Sequence, residues 1–203
     1  MAKLTIAHAT AELARVDPIM RSLVERKPAA RFRRRGRDHF SSLVHAIVYQ
    51  QLAGRAAETI HGRLVDALGG EVSVEAVLRR RSATLRKAGL SAAKEASIRD
   101  LAKKVGAGVV RLDSIARLGD EAVVEELVQV RGIGRWTAEM FLIFQLGRLD
   151  VWPVSDFGVR KGYMLAYGGD AMPSTRELEE AGERFRPFRS LAAWYCWRAT
   201  EQD

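Results

Sequence analysis

Two glycines two residues apart, Gly132 and Gly134, interrupt a chain that otherwise reads as almost unbroken helix. A glycine inside a helix costs about 1 kcal/mol relative to alanine. Yet the apolar, helix-favouring run "RWTAEMFLIF" restarts at once after them. The pattern predicts a tight helix–turn–helix, a hairpin over 127–138.

The surroundings support this. "DHFSSLVHAIVYQQLA" places Phe40, Leu43, Val44, Ile47 and Val48 at helical spacing. "AAETIHGRLVDALGG" does the same with Ile60, Leu64, Val65 and Leu68, then stops at Gly69-Gly70. Asp17-Pro18 reads as an N-cap with a first-turn proline, and Ser174 with Glu177 as a capping box. Ser91, Asp120 and Asp156 are further helix-cap candidates. Strand-like alternation is nearly absent, with "VWPVS" the only short extended candidate. The expected fold class is all-α.

A Gly-x-Gly turn between helices has two readings. One is a compact connection that binds nothing. The other is a phosphate grip: the first glycine permits unusual backbone angles, and the second lets an outside group approach the main chain. The amides opening the next helix carry partial positive charge. Such a grip reads no base edge and accepts any DNA sequence.

Charge favours a polyanionic partner. The 203 residues hold 33 Lys+Arg against 25 Asp+Glu, a net charge of +8. Two basic clusters, "RFRRRGR" (Arg31 to Arg37) and "LRRRSATLRK" (Leu78 to Lys87, read as amphipathic helix), are either phosphate contacts or solvated faces. Cys196 is the only cysteine, which excludes a disulfide framework within the chain and speaks against a thiolate-held metal. His8, His39, His45 and His61 make no ligand-spaced pair. The first residues lack the apolar core of a signal peptide, and no apolar run approaches membrane-spanning length. The expectation is a cytoplasmic, nucleoid-associated monomer with no membrane contact.

"VRGIGRWTA" resembles the hairpin of the helix-hairpin-helix (HhH-GPD) superfamily of DNA glycosylases. In that superfamily a Gly/Pro-rich loop ending in a catalytic aspartate follows. Here the loop is "LDVWPVSDFGVRKGY", and Asp156 holds the matching position. "AIVYQQLAGRAAETI", "GLSAAKEASIRDLA" and "FRPFRSLAAWYCWR" also match, and together they resemble the AlkA-like 3-methyladenine-DNA glycosylase II branch. The likeness covers roughly residues 35 to 200. It implies a single all-helical domain over 1–203 with two lobes flanking a base-binding cleft. The N-terminal β domain of the longer bacterial enzymes is expected to be absent. Arg131 stands where relatives usually carry proline, and Ser155 where some carry a second acid.

The resemblance implies a monofunctional enzyme of base excision repair. It would flip alkylated purines of the 3-methyladenine and 7-methylguanine type out of double-stranded DNA. It would then hydrolyse the N-glycosidic bond and leave an abasic site. Asp156 is implied as the catalytic carboxylate, although its residue type and place alone favour a helix cap. Trp136, Trp197, Met140 and Tyr49 are implied as base-binding surfaces, since an electron-poor base gains from π faces. Taken alone, both tryptophans read more readily as core residues. Arg131, Gly132, Gly134, Arg135 and Thr137 are implied on phosphate. Gln51 or Leu52 is implied as the plug that fills the vacated stack. Hairpins of this class can hold a monovalent cation, here on the Val128, Val130 and Gly132 carbonyls, though the residues themselves carry no sign of it. No cofactor is expected. Two other readings stay open: a non-catalytic DNA-binding module, and a bifunctional glycosylase/lyase. The second needs a nucleophilic lysine, which such relatives carry where this chain has Trp136.

Overall fold

The computed structural model describes residues 5–27 and 38–201; the Arg31–Arg37 cluster lies outside them. Every regular element among the described residues is helical. The chain opens with α1 (Ile6–Val16) and α2 (Pro18–Arg26). Then follow α3 (His39–Tyr49), α4 (Gly54–Leu68), α5 (Val74–Arg79), α6 (Ser82–Lys87) and α7 (Ala92–Gly106). Next come α8 (Asp120–Val128) and α9 (Arg135–Phe141), which continues into a π-helical turn, Leu142–Leu146. The chain closes with α10 (Phe157–Tyr167), α11 (Thr175–Gly182) and α12 (Arg189–Ala199). These elements fall into two compact units.

The first unit is discontinuous, drawing on the chain before residue 34 and after residue 146. Its core gathers Leu13, Met20, Trp152, Val159, Phe185, Leu191 and Tyr195. α10 crosses α12 at Gly162, where an added Cβ would fall 1.8 Å from the Cys196 carbonyl oxygen. No other residue permits that crossing. The Asp17 side chain accepts from Met20 N–H as expected of the cap before Pro18, and the Ser174–Glu177 capping box is complete. "VWPVS" contains no strand. It is tied instead through side-chain bonds: Ser190 Oγ takes the Val151 N–H at 2.9 Å, and the Trp152 indole Nε1 donates to the Leu178 carbonyl at 2.7 Å.

The second unit is continuous, from residue 34 to residue 146. Phe40, Leu43, Val44, Ile47 and Val48 are all buried, as their spacing predicts. α4 ends at Gly69 with φ of 93°. Two expectations are corrected. The residue capping α8 is Gly119, with Asp120 already inside the first turn, where its charge still complements the helix end. The Leu78–Lys87 segment is two short helices, not one. Arg80 and Arg81 adopt extended backbone between them, and the Arg80 carbonyl accepts from Arg99 Nη2 at 2.9 Å.

Candidate active site

The hairpin belongs to the second unit. Gly132 has φ of 77°, and an added Cβ would lie 2.4 Å from Ser97 Oγ. Conformation and space therefore both demand glycine. Gly134 differs: it is the extended N-cap of α9, uses no side-chain cap, and would have nothing within 4 Å of an added Cβ. The first glycine serves the turn, and the second leaves its outer side open to an approaching group.

α7 holds the turn from behind. Asp100 Oδ2 accepts the Arg131 N–H at 2.8 Å and pairs with Lys104 Nζ at 2.9 Å. Burial works against ionising Asp100, but the Lys104 and Arg131 hydrogen bonds outweigh it and hold the carboxyl below its ordinary range. The Arg135 guanidinium is bonded to exposed Glu121, which raises the Arg135 pKa. A phosphate that reaches Arg135 competes with that carboxylate. Thr137 is buried, with Oγ1 accepting from Gln50 Nε2. The Gly132 carbonyl accepts from Gln50 Nε2 and the Val130 carbonyl from Ile133 N–H, so two of the three cation-candidate oxygens already serve the fold.

The bend between α3 and α4 carries the plug candidates. Gln51 is the one non-glycine residue with positive φ among the described residues, at 54°, and its side chain is exposed. Backbone held in a sparsely populated region marks a segment whose surroundings over-determine it. Leu52 beside it is also exposed.

Three of the four expected base-binding residues come together. Trp136, Met140 and Tyr49 line one cavity of about 300 Å³ with His45, Phe141 and Phe144. Trp136, Met140 and Phe144 recur every four residues, and the π turn Leu142–Leu146 carries the last of them. His45 stacks on Tyr49 with ring centroids 3.9 Å apart. Sequence reasoning missed Phe144 and His45, although their four-residue spacing from Met140 and Tyr49 was a usable signal.

Trp197, the fourth, belongs to the first unit with Asp156. Asp156 caps α10: its Oδ1 accepts the Val159 N–H at 2.7 Å and the Trp197 Nε1–H at 2.8 Å. An added Cβ on Gly158 would sit 2.7 Å from Trp197 Cδ1, so the absence of a side chain there admits the indole. Asp156 is buried, at 8% exposure, whereas neighbouring Ser155 is exposed. Cap and reactive carboxylate are compatible roles: one oxygen is oriented by two N–H donors, which fixes the plane of the other.

Residues 44–187 match the HhH-GPD superfamily of base excision DNA repair proteins, and the chain belongs to that family. Among its relatives is DNA-3-methyladenine glycosylase 1 of Schizosaccharomyces pombe, 33% identical over 168 residues, spanning 81% of this chain and 74% of that one. A solved structure of the S. pombe 3-methyladenine DNA glycosylase in complex with abasic DNA superposes with a TM-score of 0.85 at 32% identity, over 94% of this chain and 95% of the other. DNA-3-methyladenine glycosidase of Bacillus halodurans gives the same TM-score and identity, over 94% and 88% of the two chains.

Proposed function

We propose that the chain is a monofunctional DNA glycosylase that removes alkylated purines from double-stranded DNA. The observation carrying this reading is the buried Asp156 carboxylate, oriented by Trp197 and the Val159 amide within the stretch that matches the base excision DNA repair family. The names of the relatives support the substrate class.

The chemistry follows from charge. When the bond between C1′ and the base nitrogen breaks, its electron pair leaves with the base and positive charge builds on the deoxyribose. A fixed carboxylate stabilises that charge. Water then adds at C1′ and loses a proton, giving free base and an abasic site. A 3-methyladenine or 7-methylguanine base already carries positive charge and departs neutral, so it needs little protonation. The cavity walled by Trp136, Tyr49, Phe141 and Phe144 suits such a base, because a cation over an aromatic face is attracted by roughly 0.5–2 kcal/mol. Gly134, with open space where a side chain would be, suits a phosphate against the backbone.

Asp156→Asn tests the assignment. Asparagine caps helices as well as aspartate does, so the melting temperature should hold. Single-turnover release of 7-methylguanine should fall at least about a hundredfold, the loss typical when a key charge-stabilising group is removed. Borohydride should trap no covalent adduct with the wild type, and the product should be an intact abasic site. An Asn variant that excises at the wild-type rate would overturn the reading.

A further inference from the structure

We infer that Gln50 and Lys94 are positioning residues that lock the bend carrying Gln51 to the glycine hairpin, so that gripping the phosphate backbone also drives the plug into the base stack. This rests on the glycosylase reading above.

Three elements of the second unit form a closed loop of contacts. The Gln50 amide spans from the bend to the hairpin, with Nε2 donating to the Gly132 carbonyl at 3.0 Å and to Thr137 Oγ1 at 3.2 Å. Lys94, in the first turn of α7, spans from that helix to the bend. Its Nζ donates to the Val48 and Gln50 carbonyls, both at 2.8 Å. α7 also reaches the hairpin directly, through Ser97 against Gly132 and Asp100 on the Arg131 N–H. Bend, hairpin and α7 are thus joined pairwise, and Gln50 and Lys94 make the two links to the bend. Gln50, Lys94, Gly132 and Trp136 also wall a second cavity of about 470 Å³ beside the hairpin.

The strained element is the bend itself, at Gln51 with φ of 54°. Left alone, that backbone would relax. Lys94 ties down the carbonyl of the residue immediately before it. Partial burial against these carbonyls pushes the Lys94 amine below its ordinary pKa.

The functional consequence concerns how binding energy is used. A hairpin that holds phosphate gains affinity on any duplex. Only a rigid connection converts that affinity into work on one nucleotide. With the links cut, the grip remains but the plug is loosely held.

The test compares two substrates carrying the same 7-methylguanine, one base-paired in a duplex and one in a bulge where stacking is already lost. Gln50→Leu removes both hydrogen bonds at similar volume. Single-turnover excision from the paired substrate should drop about tenfold or more, the scale expected when two bonds go. The bulged substrate should lose less than about threefold. Lys94→Met should show the same skew, as should the milder Thr137→Val, which removes one acceptor and serves if Gln50→Leu does not fold. A purely structural role would lower melting temperature and slow both substrates equally; that result overturns the coupling. A wild type that excises neither substrate would instead overturn the glycosylase reading.

Discussion

The Trp197 indole N–H meets the Asp156 carboxylate at 2.8 Å, on the same oxygen that takes the Val159 amide. Trp197 therefore acts on the carboxylate through its edge, whatever its face contacts. Trp197→Phe keeps an aromatic ring and deletes the donor, at the cost of some ring volume beside Gly158. A hydrogen bond to a charged group is worth about 1.5–3 kcal/mol, so single-turnover excision should fall roughly ten- to a hundredfold. The deficit should be equal for cationic methylpurines and for neutral hypoxanthine. A loss confined to the cationic bases would assign Trp197 to base stacking.

The two hairpin glycines should separate fold from grip. Gly132→Ala forces a side chain into left-handed backbone and onto Ser97 Oγ. It should cost about 1–3 kcal/mol of stability, seen in urea denaturation. Gly134→Ala meets no atom, and should cost no more than about 1 kcal/mol, the scale of an N-cap change. It should nevertheless weaken binding to an abasic-site duplex, and Gly134→Asp more so, for all sequences alike. Affinity for the wild type should fall steeply with salt. If Gly134→Asp leaves affinity unchanged, the hairpin is not in the interface.

Asp100 gives a pH signature to the hairpin support. Its folded carboxyl titrates below the ordinary 3.8 because Lys104 and the Arg131 amide outweigh its burial. A depressed carboxyl pKa contributes stability that is fully present above the unfolded value and disappears as pH falls through the folded one. Asp100→Asn should therefore melt below the wild type at pH 7, with the gap closing below about pH 4. A gap that stays constant down to pH 2.5 would show that the charge on Asp100 is not what supports the turn.

Much of this architecture is written locally. The buried faces of α3 and α4, the Ser174 capping box and the stop at Gly69 each follow from residues within a few positions of one another. So does Asp156 as a helix cap. What escapes is non-local or set by competing contacts. Trp197 is 41 residues from Asp156, and spacing cannot reveal an indole edge. Gln50 bonds across 82 residues to Gly132, and nothing in "YQQLAG" says which glutamine turns inward and which stays exposed. Helical periodicity over Leu78–Lys87 is real. The break at Arg80–Arg81 wins because the Arg80 carbonyl finds a tertiary donor in Arg99 instead of an intrahelical one.

The discontinuity of the first unit bears on how the chain is made. A ribosome delivers residues 34–146 before any of α10 or α12 exists, so the hairpin-bearing unit can close early, while α1 and α2 wait for their packing partners. The carboxylate at Asp156 gains its indole donor only when α12 emerges, 41 residues later. Nascent chains halted before that helix would carry the complete hairpin-bearing unit while Asp156 still lacked its indole donor.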